Sequence, residues 1–344
     1  MSILVLIGSG MMGSALCFPA ADNGHELRLV GTMLDRDIIN ELRKSNFHPT
    51  LKRTLPDNIK YYQLEELGTA LEGAEYIIGG VSSFGVDWFA DEILPNLPKG
   101  LPVLSVTKGM INAPGHALTT YPALYLSRVP GHDYCAIGGP CTSYELADRV
   151  QTHVCFCGDN MSSLKKFREL FHTSYYHISL STDVAGVELA VALKNAYALA
   201  VTLAVGLSQV DGNVLHYNSQ AALFGQSVSE MRKLLALFGG HENNIVYGAG
   251  DLYVTIFGGR TRLLGTLLGQ GISFKNAIKQ LSGVTLESVV IATRTVQAVN
   301  EKIRLGAVSA EDFPLLLHVG DIITSDSEVC IPWDLFQTES ITTL

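Results

Sequence analysis

The chain has no surplus of positive charge. Its 24 lysines and arginines are outnumbered by 33 aspartates and glutamates, for a formal net charge of −9. Nothing global therefore favours nucleic acid or an anionic membrane, and a small anionic ligand needs a local cluster of positive groups. Metal-binding patterns are also missing. The ten histidines are scattered, and none falls in an H-E-x-x-H spacing. The six cysteines, Cys17, Cys135, Cys141, Cys155, Cys157 and Cys330, match no zinc pattern, and the C-x-C at Cys155 and Cys157 is too sparse alone. No basic n-region with a cleavage site opens the chain, so no signal peptide is expected. Reduced thiols in the cytoplasm are the simplest reading. No long linker, internal repeat or low-complexity tract is evident.

What is present is a globular composition: 47% apolar and 17% charged residues. A chain of 344 residues exceeds the size at which one core usually keeps growing, so two domains are expected. One segment, 184–207, is long and apolar enough to suggest a membrane span. It carries Glu188, Lys194 and Asn195, which are costly in lipid, so a buried helix is expected there and no span.

The first half alternates between two periods. Strand-like runs at 2–7, 26–30, 76–81, 102–106 and 133–137 are interleaved with helical patterns at 13–23, 36–44 and 86–94. Such alternation implies a parallel sheet with helices on both faces. From about residue 184 the apolar spacing becomes helical throughout, with helices expected at 184–209, 218–238, 262–268, 273–280, 286–302 and 310–317. The expectation is a doubly wound α/β domain over 1–182, followed by an all-helical substrate and catalytic domain over 183–344.

The first strand runs directly into Gly8-Ser9-Gly10-Met11-Met12-Gly13, which opens a helical pattern. A G-x-G-x-x-G in that context reads as the dinucleotide loop of a Rossmann-type domain. Gly8 permits the tight turn, Gly10 lets the backbone approach a pyrophosphate, and Gly13 lets helix and strand pack closely. The helix N-terminus then offers N–H groups to the anion. At the end of the second strand stand Gly31 and Thr32, with no acid. Asp35 could take a ribose diol and Arg36 could meet a 2′-phosphate, or both are solvated charges at a helix start. The cofactor is thus NAD or NADP, with the choice open.

Lys194 is surrounded at helical spacing by Ala190, Val191, Tyr197 and Ala198. It either snorkels to the helix edge or lies in a dehydrated cleft. Burial disfavours a lysine ammonium and makes the amine usable as a base near neutral pH. Glu188 and Asn195 share a face of the same helix; they could orient the site or satisfy each other. Asp251 follows Gly248-Ala249-Gly250 and could also be a helix N-cap. Gly258-Gly259-Arg260-Thr261-Arg262 opens a further helix, either as a phosphate cradle or as a glycine-rich turn with surface arginines. Lys108-Gly109 and Gly138-Gly139-Pro140 each follow a strand, at the carboxyl edge where open α/β sheets bind ligands.

Together these residues resemble the NAD(P)-dependent sn-glycerol-3-phosphate dehydrogenases of the bacterial type. The resemblance is carried by Gly186-Val187-Glu188 with Ala192-Leu193-Lys194-Asn195, then Gly239-Gly240, Gly250-Asp251-Leu252 and Gly259-Arg260 in order. Lys108-Gly109 and Gly139-Pro140 with Glu145-Leu146-Ala147 match upstream. The resemblance implies interconversion of sn-glycerol 3-phosphate and dihydroxyacetone phosphate, in glycerophospholipid and carbohydrate metabolism. It implies Lys194 as the general acid/base, with Lys108 and Asp251 beside it. It implies Gly139, Cys141, Gly259, Arg260 and Thr261 as further contacts to a small phosphorylated substrate. On the cofactor side it implies Met11, Met12, Thr32, Lys108, Ser143, Arg260 and Glu287, beside Gly8, Gly10, Gly13 and Arg36 read from the loop and the strand end. Thr261 departs from the family, which usually has Asn there. Two other readings remain: a ketopantoate-type 2-hydroxy-acid reductase of the same architecture, and a non-catalytic dinucleotide-binding protein. The apolar surplus of the helical half hints at a homodimer.

Overall fold

The computed structural model describes residues 1–112, 118–212, 215–284 and 286–336. The chain divides into two compact units. One holds Met1–Gly109 and Thr120–Glu188; the other holds Met110–Thr119 and Leu189–Leu344. Each has its own apolar core. Leu6, Ile78, Leu104, Phe156 and Phe167 lie in the first, and Leu193, Leu199, Leu234, Leu264 and Leu315 in the second.

The first unit is built on eight strands: β1 (Ile3–Ile7), β2 (Glu26–Val30), β3 (Ile59–Tyr62), β4 (Tyr76–Gly79), β5 (Val103–Ser105), β6 (Tyr134–Gly138), β7 (Thr152–Gly158) and β8 (Tyr176–Ser181). They lie side by side in the order β8-β7-β6-β5-β4-β1-β2-β3. Every pairing is parallel except β6 with β7. The sheet is mostly parallel, as expected, with one antiparallel pairing. The chain between β6 and β7 holds only the short helix Ser143–Ala147 and returns beside β6 in the opposite sense. The buried runs of β1, from Leu4 to Ile7, and of all of β6 suit strands covered on both faces. The strand order reverses between β1 and β4, so the crevice at their carboxyl ends is the switch point where such sheets take ligands.

Helices α1 (Met11–Asp22), α2 (Arg36–Ser45), α3 (Tyr121–Arg128) and α4 (Met161–Phe171) complete the first unit. α1 opens at Met11, ahead of the expected Gly13, because Gly10 already serves as its N-cap. The helix expected over 86–94 is irregular: an α-turn at Val86–Trp88, a π-turn at Phe89–Ile93, then a 3-10 turn at Leu94–Asn96. Pro95 has no N–H to give to the helical ladder, and the regular helix ends.

α5 (Val184–Val210) runs out of the first unit into the second. It is the one helix of 18 residues or more, among those described, apolar enough to cross a membrane, yet 94% of its most apolar window is buried inside the protein. It is a core helix, as its polar residues implied. α6 (Tyr217–Leu237), α7 (Ile245–Thr255), α8 (Gly259–Gly269), α9 (Glu287–Arg304) and α10 (Pro314–Ser325) follow. The helix expected over 310–317 is a 3-10 turn at Ala310–Asp312, after which α10 starts on Pro314 at its first position. A proline is suited to that position, whose N–H has no intrahelical partner. The strand Met110–Asn112 belongs with this unit. Arg294 of α9 donates to the Met110 carbonyl, and Asn112 Nδ2 donates to Gln297 Oε1 at 3.0 Å.

Two helices approach α5 closely at glycines. A Cβ on Gly248 of α7 would lie 2.6 Å from the Ala190 carbonyl oxygen. A Cβ on Gly265 of α8 would lie 2.0 Å from Thr202 Oγ1, and one on Gly269 would lie 2.1 Å from the Leu203 carbonyl oxygen. No residue but glycine fits these positions without moving a helix.

A buried carboxylate ties its own helix to two others. Glu230 of α6 accepts from Tyr197 Oη of α5 at 3.0 Å and from Gln226 Nε2 at 2.8 Å. It also accepts from the Leu315 and Leu316 N–H groups at 2.9 and 3.0 Å, at the start of α10. It thus caps a helix from a distance, where anionic groups are stabilised by the free N–H groups and the helix dipole. Removing it strands several buried donors. At about 1–3 kcal/mol for each unsatisfied group, Glu230→Ala is expected to lose roughly 3 kcal/mol or more. Urea unfolding monitored by circular dichroism checks this, and a midpoint equal to wild type would refute the capping role.

Candidate active site

In the first unit the glycine loop joins β1 to α1 at the switch point. Gly8 has φ +109°, and a Cβ there would lie 2.7 Å from the Gly80 carbonyl carbon, so the position is closed to other residues. A Cβ on Gly13 would lie 2.5 Å from the Gly8 carbonyl oxygen, which is the close helix–strand contact expected of the third glycine. Gly10 is different. Its Cβ would meet only the Gly80 carbonyl oxygen, at 3.8 Å, so the space above it is open. That is the space a pyrophosphate needs, and the loop fits a dinucleotide. Met11 is the first residue of α1, and Met12 packs on the core.

Beside the loop lies a cavity of about 310 Å³, lined by Gly8, Gly10, Thr32, Leu34, Phe84 and Trp88 among others. Apolar and aromatic walls around a polar edge suit an adenosine. Thr32 donates through its N–H and Oγ1 to Asp35 Oδ2, at 2.9 and 2.8 Å. Arg36 is mostly exposed and pairs with Glu65. Asp35 is thus bonded within its own turn, and the Arg36 guanidinium lies at the surface beside Glu65.

The other carboxyl-edge residues also come together in this unit. Lys108 Nζ donates to the Gly139 carbonyl at 2.7 Å, joining the loop after β5 to the loop after β6. Gly139 has φ +114°. Cys141 packs partly against the core, and Ser143 is the buried first residue of the helix Ser143–Ala147.

In the helical unit Lys194 Nζ hydrogen-bonds Asp251 Oδ1 at 2.6 Å, with the side chains 14% and 2% exposed. Lys194 is held in the interior and does not snorkel out. Asp251 lies within α7, so it is not an N-cap. The placement follows from the helix contact. Gly248 sits on Ala190, and one turn further along each helix come Asp251 and Lys194. Glu188 and Asn195 do not satisfy each other: both carboxyl oxygens of Glu188 are buried with no hydrogen-bond partner. α8 begins at Gly259, φ +79°, with Arg260 exposed and Thr261 buried in its first turn. The unpaired N–H groups of that turn, with a guanidinium beside them, form a fit for a phosphate. Glu287 opens α9, where a carboxylate suits the positive helix end.

Sequence reasoning missed Gly80, which closes the turn against Gly8. Its place in Gly79-Gly80, directly after an apolar run, was the available signal. It also missed the contact role of Gly248, which no local pattern announces.

A family model described as the NAD-dependent glycerol-3-phosphate dehydrogenase N-terminus matches residues 3–164, and the corresponding C-terminus model matches 183–330. The chain belongs to the NAD-dependent glycerol-3-phosphate dehydrogenase family. A relative named NADP(+)-dependent glycerol-3-phosphate dehydrogenase, from Archaeoglobus fulgidus, is 35% identical over 81% of this chain and 83% of its own length. The solved glycerol-3-phosphate dehydrogenase of Coxiella burnetii is 25% identical, with a TM-score of 0.77 over 97% of both chains. A ketopantoate reductase from Ralstonia eutropha JMP134 shares the fold alone, at 14% identity and TM-score 0.55 over 95% of this chain and 99% of its own. Family membership therefore favours the dehydrogenase over both other readings.

Two outcomes test this site of a glycerol-3-phosphate dehydrogenase family member. Gly10→Ala adds a methyl into open space, so the melting temperature should hold while dinucleotide affinity falls about tenfold or more, at about 1.4 kcal/mol per decade. Titration of nicotinamide fluorescence reads it; unchanged affinity would show that the pyrophosphate is not bound there. Burial pushes the Glu188 carboxyl up to about 8, with Lys108 opposing the shift. Its ordinary value near 4.5 applies when unfolded. The folded state then holds a proton that the unfolded state has lost, so this residue's contribution to stability falls as pH rises between those values. Glu188→Gln removes the ionisation. Its stability margin over wild type should widen, by on the order of a few kcal/mol, from about pH 5 to about pH 8. A margin that stays flat across that range rules the buried neutral carboxyl out.

Proposed function

We propose a division of labour among these residues for the interconversion of sn-glycerol 3-phosphate and dihydroxyacetone phosphate with NAD or NADP. The observation that carries it is the buried contact of 2.6 Å between Lys194 and Asp251. As an ion pair, this is the state of Lys194 that can deliver a proton to the carbonyl oxygen of dihydroxyacetone phosphate. In the oxidative direction the amine takes the proton of the C2 hydroxyl, as a positioned general base. Asp251 fixes the direction of the Nζ and stabilises the ammonium when it forms. When bound, the nicotinamide cofactor supplies the hydride acceptor or donor for C2.

Gly259, Arg260 and Thr261 hold the substrate phosphate, with the hydroxyl of Thr261 in place of an amide. A handle remote from C2 lets binding energy position the reacting carbon. Lys108, Gly139 and Cys141 contact the substrate as well. Gly8, Gly10, Met11, Met12, Gly13, Thr32, Arg36 and Ser143 hold the dinucleotide, with Lys108, Arg260 and Glu287 contributing further contacts. We assign the reaction to the cytoplasm, to a homodimer, and to the supply of glycerol phosphate for lipid synthesis. None of the six cysteines forms a disulfide, which supports a reducing compartment. Exposed Val246, Tyr253, Phe257 and Leu263 on the helical unit support a partner surface.

Dihydroxyacetone phosphate reduction followed at 340 nm (about the NADH absorption maximum), with NADH and NADPH side by side, tests the reading. Lys194→Ala should lower kcat by about 10²–10⁴-fold, the range of general acid–base catalysis, while dinucleotide affinity stays close to wild type. Wild-type turnover in that variant would sink the role of Lys194. Arg260→Ala should raise KM for the phosphorylated substrate about tenfold or more, the loss of one charge-assisted contact. An unchanged KM would remove Arg260 from the phosphate site.

A further inference from the structure

Ser9, between the first two glycines of the loop, is wholly buried and its peptide is gripped from two sides. Its N–H donates to Asp35 Oδ2 at 3.2 Å, the same oxygen that accepts from the Thr32 N–H and hydroxyl. Its carbonyl lies 2.8 Å from His48 Nε2 and accepts from Ser14 Oγ at 3.3 Å. His48 is also wholly buried, on a two-residue strand that pairs Phe47–His48 with Arg53–Thr54. Its other ring nitrogen, Nδ1, receives the N–H groups of Thr50 and Leu51, at 3.3 and 3.0 Å. Two donors at Nδ1 make that nitrogen the acceptor, so the proton sits on Nε2 and is donated to Ser9. The imidazole is neutral, and burial holds its pKa below the ordinary histidine value.

The pattern has a directional logic. A glycine loop has no side chains of its own to fix its peptide planes, and its N–H groups serve an anion only when they converge. Here the one non-glycine peptide between Gly8 and Gly10 is fixed by a carboxylate from the turn after β2 and an imidazole from the hairpin after α2. Neither group is needed to close the sheet. What both touch is the loop, Asp35 at the Ser9 N–H and His48 at the Ser9 carbonyl.

We propose that Asp35 and His48 are positioning residues for the coenzyme: they clasp the Ser9 peptide and preset the glycine loop for the dinucleotide. The proposal rests on the reading of this loop as the dinucleotide site. It also gives Asp35 a task other than the ribose diol, since its Oδ2 is committed to three donors within the protein.

Two substitutions at His48 separate the clasp from local folding. In His48→Gln the side-chain amide reaches the place of Nε2 and can still donate to the Ser9 carbonyl. In His48→Asn the shorter amide reaches only the place of Nδ1, keeping the Thr50 and Leu51 contacts and losing Ser9. Dissociation constants for NADH and NADPH are measured by fluorescence titration, with melting temperatures, and with KM for dihydroxyacetone phosphate at saturating coenzyme. The Asn variant should bind both coenzymes about tenfold more weakly, the Gln variant within about threefold of wild type, and KM for the substrate should not move in either. Asp35→Asn, which keeps the shape and loses the charge, should weaken both coenzymes several-fold in the same way. Equal loss in the two His48 variants in step with melting temperature, or no loss in the Asn variant, would overturn the clasp. Wild-type protein that binds neither coenzyme would overturn the reading of the loop itself, which is a separate outcome.

Discussion

The helical unit is organised around one charge pair withdrawn from water. Bringing an ammonium and a carboxylate into an interior costs several kcal/mol in desolvation, and their attraction offsets this only in good geometry. Lys194 and Asp251 meet at 2.6 Å and are almost fully enclosed. Such a pair is poor value as a stabiliser, since apolar residues of the same volume would serve as well. On the proposed mechanism its value is chemical, a movable proton kept at a fixed point. Everything that fixes the point lies in the packing of α5, where Gly248 against Ala190 sets how close α7 comes.

A helix end suited to an anion occurs in each unit. α1 and α8 both start on glycine-rich turns, with N-caps Gly10 and Gly258 that bring no side chain to the helix end. A helix end without a capping side chain leaves its N–H groups for a ligand. At α1 no charged side chain stands in the first turn, as suits a long anion with its own recognition elements. At α8 Arg260 adds a full positive charge, as suits a small phosphate that must be held by few contacts.

Much of this was legible in the residues. The period change near residue 184 separated sheet from helices, and the glycine loop was read at the right strand–helix junction. Lys194 stood out because a lysine amid Ala190, Val191, Tyr197 and Ala198 breaks a helical apolar pattern. What could not be read is of two kinds. Strands β3, β7 and β8 were missed because their faces are only partly buried or carry Thr, His and Ser, which blurs the period. Contacts between distant residues have no local signature. The His48–Ser9 contact, across 39 residues, was missed, and the Lys194–Asp251 contact, across 57, was reached only through the family resemblance. Glu188 and Asn195 show the limit of spacing: it placed them on one face and left two readings open, of which burial of the unbonded Glu188 carboxyl excludes mutual satisfaction.

The glycine contacts along α5 have a consequence for how such a protein can adapt to heat. At Gly206, Gly248 and Gly269, which touch neighbouring backbone, and at Gly265, which touches Thr202, a Cβ would come within 2.0 to 2.6 Å of another atom. The common stabilising routes of exchanging glycine for alanine, or filling a gap with a larger side chain, are closed along these seams. Homologues adapted to higher temperature must gain their margin elsewhere: in surface charge networks, shorter loops or tighter subunit assembly. The interior of α5 is then a region where sequence can drift little, for reasons of backbone distance rather than of chemistry.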